Sequence, residues 1–211
     1  MEVQHIKTSS FRQMYDFTGE QLGKGSFATV REGKRYADDR TVAVKTFTDE
    51  AGKESFDHEL SIHNMLMLCD GEGYSKWMVP LLGAYYITDA VLYVLVFERA
   101  ICSLCDILYP KHRISGQTVP VNWCVHAGEQ IAKGLAWLHS CSVVHCDIKP
   151  ENILFVDGFG LKLADLGSCY PLAELSSAEH WYIQSRWYRA PEVVLRTRKP
   201  LDGGVDVWSV G

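Results

Sequence analysis

The sequence predicts an α+β protein of two lobes, a sheet-rich first part and a helix-rich second part that meet near Ala100. Residues 17–47 alternate β-branched and polar positions between glycine and aspartate turns. A second apolar pair of segments, 78–87 and 91–97, has strand length. After Arg99 the period changes: residues 119–140 carry Cys124, Ala127, Ile131, Leu135 and Leu138 on one helical stripe. The expected organisation is a flexible lead-in over 1–16, a first lobe over 17–100 and a second over 101–211.

The elements follow in order. Residues 1–16 are polar and weakly patterned, which gives the lead-in. Ala28-Thr29-Val30 and Thr41-Val42-Ala43-Val44 read as strands, with Asp38-Asp39 as the turn between them. Residues 51–69 read as a helix whose broad apolar face holds Phe56, Leu60, Ile62, Met65, Leu66 and Leu68. Leu161-Lys162-Leu163 is a short strand, and residues 206–211 open a helix. Internal repeats and low-complexity segments are absent from the sequence.

Bulk composition excludes several classes. An apolar content of 47% with 22% charged residues belongs to an ordinary folded protein. The net charge of −5 offers no general basic field for nucleic acid, although Arg186, Arg189, Arg196, Arg198 and Lys199 form a local cationic patch. The apolar run 90–97 is far too short to span a bilayer, so no membrane partner is expected. Seven scattered cysteines with no secretory signal before them read as reduced thiols in a cytoplasmic or nuclear protein. Cys102 and Cys105 form a C-x-x-C without a second pair, which a helix face of two small residues explains better than a metal site.

Chemistry concentrates in the run His145-Cys146-Asp147-Ile148-Lys149-Pro150-Glu151-Asn152. A carboxylate, an ammonium and a carboxamide at that spacing suit phosphoryl transfer. Asp147 can accept a proton from an attacking hydroxyl, Lys149 can neutralise charge on the moving phosphoryl group, and the Asn152 amide oxygen can hold a metal ion. Further along, Ala164-Asp165-Leu166-Gly167 supplies a second hard oxygen ligand, and Asp165 with Asn152 matches Mg²⁺ bridging phosphates. Upstream, Leu22-Gly23-Lys24-Gly25-Ser26-Phe27 lies between two strands. Its glycines would let backbone N–H groups approach phosphate oxygens, although a plain glycine hairpin has the same pattern. Lys45 closes the apolar strand that follows.

These motifs, in this order, resemble the eukaryotic protein kinases over residues 17–211. The run Tyr182-Ile183-Gln184-Ser185-Arg186-Trp187-Tyr188-Arg189-Ala190-Pro191-Glu192 is similar to the CMGC group of cyclin-dependent, MAP and dual-specificity tyrosine-regulated (DYRK) kinases. Cys146 between His145 and Asp147, and Tyr-Ile-Gln-Ser-Arg, look most like the DYRK branch; Trp187 and His180 depart from it. The resemblance implies a bilobal fold with an antiparallel five-stranded N-lobe sheet plus one helix, and a mainly helical C-lobe. Since residues 206–211 match only the start of that lobe's central helix, the C-lobe is expected to be incomplete.

It also implies Mg·ATP as cofactor, bound between the lobes, and a protein substrate with a serine or threonine acceptor. Lys45 would meet the phosphates and pair with Glu59, with Glu54 as the rival. Val30 and Ala43 would lie above the adenine and Leu154 below it. Phe97 would limit the pocket, and backbone groups near Glu98 and Ala100 would pair with the adenine edge. His63 stands where an aliphatic residue is usual, which reads either as a buried neutral histidine or as a weakened active state. Without an arginine at position 146, a phosphate on Tyr182 would need Arg186 and Arg189 as its clamp; a packed aromatic beside solvated arginines is the alternative. Two functions stay open: an active kinase represented by part of its domain, and a nucleotide-binding module without turnover. Oligomeric state and the identity of the substrate are not legible in the sequence.

Overall fold

A computed structural model describes residues 1–109, 118–156, 160–177, 182–197 and 200–211. The expectations for His180, Arg198 and Lys199 lie outside the described residues. The chain separates into two compact units, Met1–Asn64 with Val79–Arg99, and Met65–Met78 with Ala100–Gly211.

The elements in chain order are β1 (Gln4–Ile6), α1 (Thr8–Met14), β2 (Tyr15–Asp16), β3 (Gln21–Lys24), β4 (Ala28–Arg35), β5 (Arg40–Phe47), α2 (Asp49–Cys69) and α3 (Gly71–Trp77). They continue with β6 (Leu81–Ile87), β7 (Leu92–Glu98), β8 (Cys102–Ser103), α4 (Leu104–Leu108), α5 (Val121–Ser140), β9 (Val143–Val144), β10 (Ile153–Phe155) and β11 (Leu161–Leu163). The last are β12 (Tyr170–Pro171), α6 (Leu172–Ser177), α7 (Pro191–Val194) and α8 (Gly204–Val210), with 3-10 turns at Pro150–Asn152, Leu166–Ser168 and Arg186–Tyr188.

The first unit is built on one sheet in the order β1-β6-β7-β5-β4-β2, with β3 also paired to β4. The five long antiparallel strands are those the alternation predicted. Register assigns their faces, because directly opposed residues in an antiparallel pair point the same way. Val30 opposes Lys45, Lys45 opposes Leu95, and Ala43 opposes Phe97, so Val30, Ala43, Lys45 and Phe97 share one face. Helix α2 packs there: Phe56 meets Phe47 and Tyr93, and His63 meets Phe97. The intervening residues Val42, Val44, Val94 and Val96 point to the opposite face and form a core with Phe11, Tyr15, Tyr85 and Ile87.

That second core corrects the reading of residues 1–16 as a flexible lead-in. They form β1, parallel to β6, then α1 and β2. Phe11 is 0% exposed and stacks edge-on to Tyr85. Thr8 donates from both its N–H and its hydroxyl to Asp89, fixing α1 to the β6–β7 turn. The sheet therefore gains two short strands and a second helix beyond the five strands and one helix expected. Gly33 makes room for β2, since a Cβ there would collide with the Asp16 carbonyl.

In the second unit α5 starts after Pro120 and buries Ala127, Ile131, Leu135 and Leu138 of the predicted stripe, whereas Cys124, in its first turn, is exposed. Helix α3 was not predicted. Asp70 caps it by accepting from the Glu72 and Gly73 N–H groups. A Cβ on Gly73 would strike the Trp137 indole. Cys102 lies in β8 and Cys105 in α4, so the two do not share a helix face as expected. Small sheets β11-β10-β8 and β12-β9 frame the loop that holds residues 145–152.

Candidate active site

The residues singled out by sequence fall into two groups, one in each unit. In the first unit, Lys45 Nζ lies 2.7 Å from Glu59 Oε2. Glu59 is 2% exposed whereas Glu54 is exposed, so the helix presents Glu59 to Lys45 on β5. A buried carboxylate needs such a charge-assisted partner. His63, one turn on, is buried against Phe97.

The glycine turn joins β3 and β4 and is closed by a 2.8 Å bond from the Gly25 N–H to the Ala28 carbonyl. A Cβ at Gly23 would meet nothing within 4 Å, and at Gly25 only the Ala28 carbonyl at 3.7 Å. Neither packing nor a left-handed backbone demands glycine at these two positions, which leaves open space over the turn. That cradle fits an approaching phosphate. Lys24, Ser26 and Phe27 are exposed around it, and Leu22 is half-buried. Glu98 ends β7, and its N–H is committed to the Pro80 carbonyl at 3.1 Å.

In the second unit Asp147 is the centre of a four-donor array. Its Oδ1 accepts from the Ser185 N–H at 3.0 Å and hydroxyl at 2.8 Å. Its Oδ2 accepts from Lys149 Nζ at 2.6 Å and Asn152 Nδ2 at 3.1 Å. Lys149 Nζ reaches on to Ser185 Oγ at 3.1 Å. Ser185 was not singled out by sequence reasoning as a site residue: it lies far along the chain, and no local spacing ties it to Asp147.

The backbone of this loop is held from below. Asp206, fully buried on α8, accepts from the N–H groups of His145 and Cys146 at 2.8 Å each and from His139 Nε2 at 2.9 Å. That hold sets Cys146 at a φ of 62°, a left-handed conformation a non-glycine residue seldom adopts without such support. The Cys146 thiol is pushed well above its ordinary range by burial, then by the Asp206 and Asp147 carboxylates.

Asn152 sends its amide nitrogen to the Asp147 carbonyl at 2.9 Å, which turns its amide oxygen away from Asp147. Its own carbonyl accepts from the Ala164 N–H at 2.9 Å, extending the β10–β11 ladder. Asp165 therefore follows one residue beyond that rung, exposed and in the left-handed region with φ 62°. An amide oxygen and a carboxylate are hard donors that suit Mg²⁺. Leu154 sits in β10 opposite Ser103 and Lys162, and Ala100 is buried at the start of this unit.

Residues 182–190 form a compact turn. Gln184 N–H donates to the Cys146 carbonyl, and the Gln184 side chain bonds the Val205 carbonyl, Ser209 and the Ala190 N–H. Arg189 donates to the carbonyls of Ile183 and Gln184, and its guanidinium lies 4.8 Å over the Tyr182 ring. Tyr182 is 86% exposed, and Arg186 is exposed on the following 3-10 turn.

Residues 17–211 match the protein kinase domain model. The chain belongs to the protein kinase domain family. The chain is 32% identical over 209 residues to homeodomain-interacting protein kinase 4 of Macaca fascicularis, covering 97% of this chain and 32% of that protein. It is 33% identical over 197 residues to the probable serine/threonine-protein kinase dyrk2 of Dictyostelium discoideum, covering 90% and 20%. With extracellular signal-regulated kinase 2 of the same organism, identity is 29% over 198 residues, covering 91% and 51%. These relatives place the kinase domain in the CMGC group. The chain spans about a third or less of the length of the first two. The family implies ATP and a divalent metal ion. Among the described residues no helix is long and apolar enough to cross a membrane.

Proposed function

We propose that the chain carries the phosphoryl-transfer machinery of a CMGC protein serine/threonine kinase, acting on a serine or threonine hydroxyl of a protein substrate. The observation that carries this reading is the Asp147 array, in which one carboxylate gathers Lys149, Asn152 and Ser185. Mg·ATP supplies the phosphoryl group and the charge neutralisation around it. Asn152 Oδ1 and Asp165 would hold the metal ion, and Lys45, steadied by Glu59, would bind phosphate oxygens below the glycine turn. Val30, Ala43, Phe97 and Leu154 would bound the adenine, with backbone groups near Glu98 and Ala100 on its polar edge.

Asp147 orients the acceptor hydroxyl and takes its proton. Both its oxygens already carry donors, so an incoming hydroxyl must displace one. The Ser185 hydroxyl and the Lys149 ammonium are on rotatable side chains and can leave, while the Ser185 N–H cannot. Once turned outward, Lys149 can meet the transferred phosphoryl group. Tyr182 is the proposed phosphorylation site, made by the kinase itself, with Arg186 and Arg189 as its cations. A cytoplasmic or nuclear location accords with cysteines that are thiols rather than disulfides in the described residues.

Isothermal titration with Mg·ATP, paired with a peptide phosphorylation assay, tests the reading. Lys45→Met and Asp165→Asn should each weaken binding and abolish transfer. Unchanged affinity and turnover in both variants would overturn it. Binding without any transfer by the unaltered chain would instead mark a nucleotide-binding module.

A further inference from the structure

One charged pair lies at the rim of the sheet face assigned to nucleotide. Register places Glu32 opposite Ala43 and Ala43 opposite Phe97, so Glu32 leaves the sheet on the side of Val30, Ala43, Lys45 and Phe97. Arg99, the residue after β7, donates from its Nε to Glu32 Oε2 at 3.1 Å. Both residues belong to the first unit. The Glu32 and Arg99 side chains are 42% and 27% exposed, which makes the pair half-desolvated. Each partner is held from behind. The Glu32 N–H donates to the Glu20 carbonyl at 2.8 Å, and a Cβ on Gly19 would lie 2.6 Å from the Glu32 carbonyl. Glu20 directly precedes β3, the strand that leads into the glycine turn. On the other side, Arg99 follows Glu98, whose N–H is committed to the Pro80 carbonyl.

We propose that Glu32 and Arg99 are positioning residues for the nucleotide: their ion pair is a clasp that ties β4 and the glycine turn to residues 98–100 and thereby sets the affinity for Mg·ATP. The inference rests on the phosphoryl-transfer reading, which puts Val30 above the adenine and the backbone groups near Glu98 and Ala100 on its polar edge. Val30 lies two residues before Glu32 on β4, and Glu98 and Ala100 flank Arg99 in the chain. A bond between Glu32 and Arg99 therefore fixes the spacing between the two sets of groups that would meet the base.

The chemistry of the pair suits that task. A lone carboxylate on this face would be partly stripped of water and would stand near a polyanionic ligand, and both effects are unfavourable. The guanidinium neutralises it, and its planar fork fixes the direction of the contact better than an ammonium would. Because the pair is partly exposed, water and salt weaken it, so the expected effect is about three- to fivefold in affinity. Asp147, Lys149 and Asp165, assigned to the phosphoryl group and the metal ion, are other residues. The effect therefore falls on nucleotide binding rather than on transfer.

A double-mutant cycle read by isothermal titration with Mg·ATP, with steady-state kinetics on a peptide alongside, tests the clasp. Glu32→Gln should weaken binding about three- to fivefold and raise KM for Mg·ATP by the same factor, with kcat largely kept. In an Arg99→Gln background the same change should bring no further weakening. The clasp is overturned if Glu32→Gln leaves the affinity as it was, or if it weakens binding equally in both backgrounds. A fall in kcat with KM kept would also overturn it, since that marks a merely structural pair. Titration needs no turnover, so a chain that binds Mg·ATP without transferring phosphate still decides the matter. An unaltered chain that binds no Mg·ATP overturns the nucleotide reading and the clasp together.

Discussion

At the scale of single residues, the arrangement around Asp147 separates roles that composition alone would blur. On the proposed reading its carboxylate acts on the nucleophile, and the groups assigned to nucleotide are others. Asp147→Asn is therefore expected to cut kcat by a factor of about 10² or more with the affinity for Mg·ATP kept, in line with loss of a general base. Steady-state kinetics with isothermal titration checks this, and turnover within tenfold of the unaltered protein would move the role elsewhere. The motif spacing made Asp147, Lys149 and Asn152 legible because all three lie in one loop. Ser185 was illegible as a partner because its bonds to Asp147 are made from a distant segment. Glu54 and Glu59 could not be parted by spacing alone; burial of Glu59 beside Lys45 parts them.

At the scale of elements, periodicity was a good guide wherever a segment packs by a regular face. The strand alternation of Val42 and Val44 and the α5 stripe are of that kind. Helix α1 escaped because its one fully buried residue, Phe11, finds its partners in Tyr85 and the β7 valines, which no local pattern announces. Helix α3 escaped because Gly71 and Gly73 lower helix propensity, and Gly73 is set by the Trp137 indole above it. Residues 1–16 are thus part of the sheet's core. Phe11→Ala should destabilise the first unit by about 3–5 kcal/mol, the usual cost of emptying a buried phenylalanine site. Urea unfolding reads this directly; a loss under about 1 kcal/mol would return the segment to a dispensable lead-in.

The turn at residues 182–190 offers a cleaner variant than its arginines do. Arg189 holds the carbonyls of Ile183 and Gln184 besides facing the Tyr182 ring, so Arg189→Ala would loosen the backbone whether or not a phosphate binds there. Tyr182→Phe keeps the ring over the guanidinium and removes only the acceptor oxygen. On the proposed reading it lowers kcat several-fold and leaves Mg·ATP affinity unchanged, because two charge-assisted contacts of about 1.5–3 kcal/mol each are lost with the phosphate. Tandem mass spectrometry of protein made in bacteria should find phosphotyrosine at 182. An unmodified Tyr182 in a fully active preparation would leave the ring its packing role alone.

For the molecule as a whole, the buried titratable groups with shifted pKa values set one limb of its stability against pH. Cys141 is raised to about 12 and Cys146 further, both first by burial, and Tyr85 is raised by burial and by its bond to Tyr15. Each of these groups is neutral when protonated, and folding favours that form. Their contribution is complete below the unfolded thiol value of about 8.5 and is lost as pH climbs through the folded values. The lowered carboxylates, Asp16, Asp38 and Asp89 among them, lie at the surface and act with the opposite sign, losing their smaller share as pH falls. Urea midpoints should therefore be level near neutrality and drop steeply between pH 9 and 11 under reducing conditions. Cys146→Ser, which keeps the shape and removes the titration from that range, should flatten the drop. A midpoint that holds constant to pH 11 in the unaltered protein would mean that these thiols reach solvent in the folded state.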